Sequence, residues 1–192
     1  MKKLLATLAT GAALSFATLS ATAADYTIDT KGAHASINFK IQHLGYSWLT
    51  GRFNSFDGSF SYDEKKPEAS KIMVNIDPSS IDSNHAERDK HIKSSDFLDV
   101  KKYATAKFVS TKITDKGEGK LEVIGDLSLH GVTKSITIDA VKIGEGKDPW
   151  GGYRVGFSGT TTIGLKEFGM VERLGPASTH VELELHIEGI RQ

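Results

Sequence analysis

The stretch His180-Val181-Glu182-Leu183-Glu184-Leu185-His186-Ile187-Glu188 places an aliphatic residue at every second position and Glu or His at each one between. Successive side chains of a strand point to opposite faces of its sheet, so this segment has one dry face and one wet face. The same rule fits Leu121 to His130, where Leu121, Val123, Gly125, Leu127 and Leu129 share a face. It recurs from Ala35 to Ile41, from Ser55 to Tyr62 and from Val155 to Ile163. Lys71 to Asp77, Ala106 to Thr114 and Ser135 to Ile143 are further strand candidates, separated by turn signals at Asp115-Lys116-Gly117, His130-Gly131 and Gly144 to Gly152. These make about eight strands at hairpin-like spacing. The long helical patterns that would carry parallel crossovers are missing, which favours an all-β, antiparallel sheet. Such a sheet buries its apolar face and protects its edges by closing into a barrel or folding into a sandwich.

Composition agrees with one soluble domain. Of 192 residues, 39% are hydrophobic and 25% charged, and 24 Lys plus Arg balance 24 Asp plus Glu. A phosphate-reading surface needs a basic excess, so nucleic acid is not an expected partner. Met1-Lys2-Lys3 is a short cationic start, Leu4 to Leu19 is apolar or small, and Ala21-Thr22-Ala23 fits the small-x-small pattern of signal-peptidase cleavage. Residues 1–23 are therefore expected to be a secretory signal cut before Ala24, leaving 24–192 as a single β-barrel domain with a formal charge of −2. The apolar run is interrupted by Thr7, Thr10, Ser15 and Thr18 and is shorter than the roughly 20 residues that span a bilayer, so no stable membrane insertion is expected. With no cysteine, the chain has no disulfide, lipid anchor, thiolate metal ligand or cysteine nucleophile.

Asn84 to Val100 (NHAERDKHIKSSDFLDV) breaks the alternation. Asn84 as N-cap and Glu87 as its capping partner predict a short polar helix laid over the sheet or across an opening, then a turn at Ser94-Ser95 and a second helical turn with Phe97 and Leu98. The i,i+4 pairs His85–Asp89 and Glu87–His91 are routine surface support on a solvated helix, and a metal site needs three or four converging ligands. His180 and His186 alternate with glutamates on the wet face, and His34, His43 and His130 fall at strand ends. The chain holds no G-x-S-x-G, H-E-x-x-H, Walker or G-x-G-x-x-G motif. Neither a catalytic residue, nor a metal, nor a resident cofactor is expected.

The dry faces interleave large and very small residues: Gly58 lies between Phe56 and Phe60, Gly125 between Val123 and Leu127, and Gly159 follows Phe157. Two readings stand. The interior of an eight-stranded barrel is plugged by side chains or holds one small ligand, and small inward residues favour the ligand. Alternatively, glycines mark bulges and bends where strands coil to close the barrel. If space remains, its walls are Ile37, Phe39, Ile41, Phe56, Phe60, Phe108, Val123, Leu127, Leu129, Phe157, Leu183 and Leu185, with Trp48 and Trp150 at the mouth. Such walls call for an apolar guest. Burial of about ten carbons at ~0.8 kcal/mol per methylene gives roughly 8 kcal/mol gross before ordering costs.

The runs Ile41-Gln42-His43-Leu44-Gly45-Tyr46-Ser47-Trp48, Asn84 to His91, Gly125 to Lys134, Asp148-Pro149-Trp150-Gly151-Gly152 and Leu174-Gly175-Pro176-Ala177-Ser178 resemble the YceI family of exported bacterial proteins, from about Asp25 to Gly189. The resemblance implies a lipocalin-like, eight-stranded antiparallel barrel with a short helix over it. It also implies a periplasmic binding protein whose tunnel holds a long isoprenoid or similar lipid tail, such as a quinone or polyprenyl phosphate; an oligomer is possible. An outer-membrane barrel would show the same alternation with its faces exchanged. Against that, Glu182, Glu184 and Glu188 beside His180 and His186 are too much charge to pack inside eight strands. A lipid-modifying enzyme using His85 or His91 near the mouth is the remaining alternative.

Overall fold

A computed structural model describes residues 23–170 and 175–192. The expected export signal therefore lies outside the described residues, apart from Ala23. The strands are β1 (Ala24–Ile28), β2 (Ser36–His43), β3 (Ser47–Phe53), β4 (Phe56–Tyr62), β5 (Lys71–Ile76), β6 (Ile81–Asp82), β7 (Ala106–Gly117), β8 (Lys120–Leu129), β9 (Val132–Lys147), β10 (Tyr153–Gly164) and β11 (His180–Arg191); helix α1 spans Ala86–Ile92. The strands pair antiparallel in the order β1-β4-β5-β7-β8-β9-β10-β11, and β1 pairs with β11 to close a ring of eight.

Three short strands, β2, β3 and β6, form a second tier on that ring. One edge of β11 is shared: its end at 189–191 pairs with β1, and its earlier part at 182–186 pairs with β2. β2 then pairs with β3, and β3 with β6. Each second-tier strand is thus the continuation of a ring strand beyond a break, at residues 29–35, at Asn54-Ser55 and at 77–80. The eight expected strands correspond to these eight tracks. β7 begins only at Ala106, opposite Ile76, so the second tier has no partner on that side. There α1 and the turns that follow it carry Ile92, Phe97 and Leu98 onto the inner wall.

The alternation in β11 translates directly into register. Leu183 and Leu185 lie opposite Phe39 and Ile37 of β2, and Ile187 lies opposite Phe157 of β10, so the dry faces fuse into one continuous interior. Val123 and Leu127 of β8 and Phe108 of β7 are buried in it, together with Tyr26, Ile28, Phe60 and Val155. Glu182, Glu184 and His186 face outward, and Lys40 of β2 reaches Glu182 at 2.8 Å. Charge outside and hydrocarbon inside is the reverse of what a lipid-facing barrel requires. Among the described residues no helix is long and apolar enough to cross a membrane.

Two local expectations are corrected. The N-cap of α1 is His85, not Asn84: the His85 Nδ1 accepts from the Arg88 backbone N–H at 3.2 Å. Asn84 has φ +62°, whereas a capping residue needs extended backbone. The expected turn from Gly144 to Gly152 is shorter, because β9 runs on to Lys147 and the chain reverses over 148–152. Asp148 fixes that turn by accepting from the backbone N–H groups of Trp150 and Gly152 at 3.0 and 2.7 Å.

The break between β1 and β2 is bolted to the rest by Arg154. Its guanidinium donates to Asp29 at 2.6 Å, to Asp148 at 2.9 Å and to Glu188 at 2.5 Å, joining the 29–35 connection, the β9–β10 turn and β11. His34 adds a 2.9 Å contact to Asp29, which is buried. The Arg154 hydrogen bond, followed by that from His34, holds the Asp29 carboxyl well below its ordinary 3.8, against the opposing effect of burial. The same partners raise Arg154 above its ordinary value. Asp29, His34 and Glu188 converge closely enough to hold a cation, and Arg154 already supplies the positive charge between Asp29 and Glu188.

Candidate functional site: an apolar tunnel along the barrel axis

The barrel interior is not full. Two chambers lie in series, an outer one of about 280 Å³ at the second-tier end and an inner one of about 150 Å³ within the closed ring. Ile37, Ile76, Leu127 and Leu183 line both chambers and form the neck between them. Leu183, Leu185 and Ile187 remain only partly buried although they point inward, because they face this space rather than other side chains.

The inner chamber ends on a cluster of rings. Tyr26 stacks on Phe60 with centroids 5.1 Å apart, and Phe157 meets Phe60 and Tyr62 edge-on at 5.8 and 5.1 Å. Burial pushes both tyrosine hydroxyls above their ordinary 10.0. Ile72, Ile113, Leu121 and Ile138 also line the chamber, and its polar residues are Ser61, Ser70, Ser158 and Thr161. At the other end, the outer chamber is bounded by Leu49 and Phe53 of β3, Ile81 of β6, the α1 segment, and Leu165 and Met170 after β10. The charged or polar residues on its rim are Arg88, His91, His43 and Ser178.

The glycines do not simply leave room. A Cβ at Gly125 would enter the ring of Phe108 and come within 2.6 Å of the Val109 carbonyl oxygen. Gly51 receives Phe39 in the same way, Gly189 receives Phe60, Gly58 receives Ile28, and a Cβ at Gly159 would lie 3.0 Å from Ile138. Each glycine is a seat in the wall, and a large inward side chain of another strand lies against it. The small residues thus shape the wall: they let large neighbours lie back against it beside an interior that is not full.

Of the residues expected on the wall, Ile37, Phe39, Ile41, Leu127, Leu129 and Leu183 line the outer chamber. Phe60, Phe108, Val123, Phe157 and Leu185 line the inner one, with Ile37, Leu127 and Leu183 shared. Phe56 packs against the core without reaching either chamber. Trp48 is half exposed on the outer side of β3, and Trp150 is 76% exposed with Arg154 stacked on it at 5.3 Å. Neither tryptophan lines the tunnel. Missing from the sequence reading are Leu49, Phe53, Ile76, Ile163, Val181 and Ile187, which continue the inner stripes, and the α1 residues Ile92, Phe97 and Leu98.

The histidines and carboxylates of the α1 segment are spread over separate tasks. His85 caps the helix, Asp89 accepts from the Ser83 backbone N–H at 2.9 Å, and Arg88 is pinned to the Ser83 hydroxyl at 2.7 Å. His91 pairs with Asp96 at 3.2 Å and packs edge-on against Phe97. A larger polar concavity of about 920 Å³, between Asn38, Lys40, Arg52, Asp139 and Glu184, is the wet side of the same strands.

Comparison with known proteins agrees with this architecture. A UPF0312 protein of Shewanella baltica is 58% identical over all 192 residues of both chains, and one of Vibrio cholerae is 59% identical over the same length. Among solved structures, the Campylobacter jejuni YceI protein superposes with a TM-score of 0.71 at 27% identity, covering 79% of this chain and 90% of its own. A domain from Saccharophagus degradans, described as polyisoprenoid binding and implicated in plant cell wall breakdown, superposes at 0.64 with 14% identity, covering 87% of this chain and 98% of its own. Residues 26–189 match the YceI-like domain, and the chain belongs to the YceI family.

Proposed function

We propose that this protein is a periplasmic carrier or sequestering protein that binds a long isoprenoid lipid, of the quinone or polyprenyl phosphate class, in its barrel. The observation that carries the reading is the two-chamber tunnel, whose neck is aliphatic, whose inner wall has no charged residue, and whose arginine and histidines sit at the outer end only. A chain threaded through the neck would exchange water for aliphatic and aromatic contacts at ~0.8 kcal/mol per methylene, with its polar head left at the α1 end. The branched, unsaturated tail of an isoprenoid suits walls built from β-branched residues and flat rings. The polyisoprenoid binding of the Saccharophagus degradans domain supports the same ligand class. Residues 1–23 are the export signal in this reading, which supplies the aqueous compartment between two membranes that a lipid carrier would serve.

The test is a native mass-spectrometric titration of the delipidated protein with farnesol and geranylgeraniol. The reading predicts one prenol per chain, with the longer one displacing the shorter. Failure of both prenols to bind would refute it.

A further inference from the structure

The hairpin joining β2 and β3 stands at the tunnel mouth. His43 and Leu49 at its base line the outer chamber, and between them Leu44, Tyr46 and Trp48 are 48%, 87% and 50% exposed. The other large apolar residues exposed among the described ones lie along the outer wall on β5, β7 and β9, or at the β9–β10 turn. The tip is held rigidly. Leu44 and Gly45 take φ +53° and +81°, the Tyr46 N–H donates to the His43 carbonyl at 2.9 Å, and the buried Ser178 hydroxyl donates to the Gln42 carbonyl at 2.6 Å. Leucine lacks the short polar side chain that eases left-handed backbone in Asn or Asp, and the Leu44 N–H donates to the Ser178 hydroxyl at 3.4 Å.

We propose that this hairpin tip docks on a lipid bilayer and seats the tunnel mouth at the membrane, so that an apolar chain passes between bilayer and barrel without crossing water. The direction of traffic rests on the tunnel reading; the docking itself rests on the exposed side chains. Three side chains on a convex turn fall far short of the ~800 Å² per partner of a stable protein interface. Tyrosine and tryptophan do favour the headgroup level of a bilayer, where one end of the ring is wet and the other dry. The Lys40 Nζ lies 4.8 Å from the Trp48 ring centre and is shared with Glu182 at 2.8 Å, so the docking rests on the three exposed side chains rather than on a free cation.

The experiment uses the mature chain with vesicles of phosphatidylethanolamine and phosphatidylglycerol. In a Trp150→Phe background, Trp48 emission is expected to shift to the blue on adding vesicles. The double variant Leu44→Asn, Tyr46→Ser is expected to partition onto vesicles about tenfold less, roughly 1.4 kcal/mol. It should fold at least as well, because Asn is at ease at positive φ, and should still take up farnesol from solution. Should the double variant fail to fold, Tyr46→Ser alone, at a fully solvated tip, reads the same effect. Unmoved Trp48 emission, or partition unchanged by these substitutions, would overturn the proposal. A protein that binds vesicles through this tip but takes up no prenol would keep the docking and refute the carrier; the converse would keep the carrier and refute the docking.

Discussion

Replacing Gly125 with alanine tests how the lumen is kept open. The added methyl would overlap the Phe108 ring and approach the Val109 carbonyl oxygen to 2.6 Å. That oxygen belongs to the β7–β8 ladder and is fixed, so the ring has to leave its seat. The space available to it is the inner chamber of about 150 Å³, which Phe108 already lines. Overpacking of this kind costs about 1–3 kcal/mol, and a domain of this size loses about 2–4 °C in melting temperature per kcal/mol. A ring standing in the chamber evicts about three methylenes of a guest, a loss of ~2.4 kcal/mol, or roughly fifty-fold in affinity. Native mass spectrometry with geranylgeraniol reads the affinity, and thermal denaturation reads the stability. Adding Phe108→Leu to Gly125→Ala removes the clash and is expected to restore most of both losses, a coupling that a double-mutant cycle isolates. Unchanged affinity and melting temperature in Gly125→Ala would refute the idea that glycine seats hold the walls back.

Three further outcomes are expected. Leu127→Trp plugs the neck shared by the two chambers, so geranylgeraniol should weaken more than farnesol, measured by the same titration. Arg154→Met removes the main cause of the lowered Asp29 pKa. Because that folded-state value is depressed, its contribution to stability is full above the ordinary 3.8 and is lost as pH falls toward the lowered value; the variant should show a lower melting temperature at neutral pH and begin acid unfolding at a higher pH, followed by circular dichroism. Expression of the whole chain in a bacterial host should yield a periplasmic protein whose first residue is Ala24, read by N-terminal sequencing; retention of Met1 would refute export by cleavage.

The barrel was legible because a dry face with period two runs the length of β8, β10 and β11, strands of ten to twelve residues in which the pattern outlasts a single inward glycine such as Gly125 or Gly159. β3 escaped because its inward residues are Leu49, Gly51 and Phe53, and the middle one is a glycine covered by Phe39 from the neighbouring strand. A blank position in one strand is filled by its partner, and no single-strand pattern records that. β1, with five residues, is too short to establish a period, and its closure onto β11 is a pairing of residues 26–28 with 189–191, from opposite ends of the chain, that no local pattern records.

The site divides in the same way. Eleven of the wall residues expected from alternation do line a chamber, since strand parity alone decides inward or outward. On the sequence alone, chemistry rather than parity places the tryptophans at the mouth. Trp48 sits on the outer face of its strand, and Trp150 lies over Arg154 at a turn organised by Asp148. The contribution of α1 to the outer chamber was hidden because its inward residues follow no strand parity, and the polar side chains around them dominate the sequence.

The account stands or falls on whether the lumen carries a lipid. Organic extraction of protein purified from its native compartment without detergent, followed by mass spectrometry of the extract, answers this directly. An apolar molecule with the five-carbon repeat of an isoprenoid, present at about one per chain and absent from the extract of Leu127→Trp, is the result the account predicts. An extract without any such molecule, from a protein that also refuses added prenols, would contradict it.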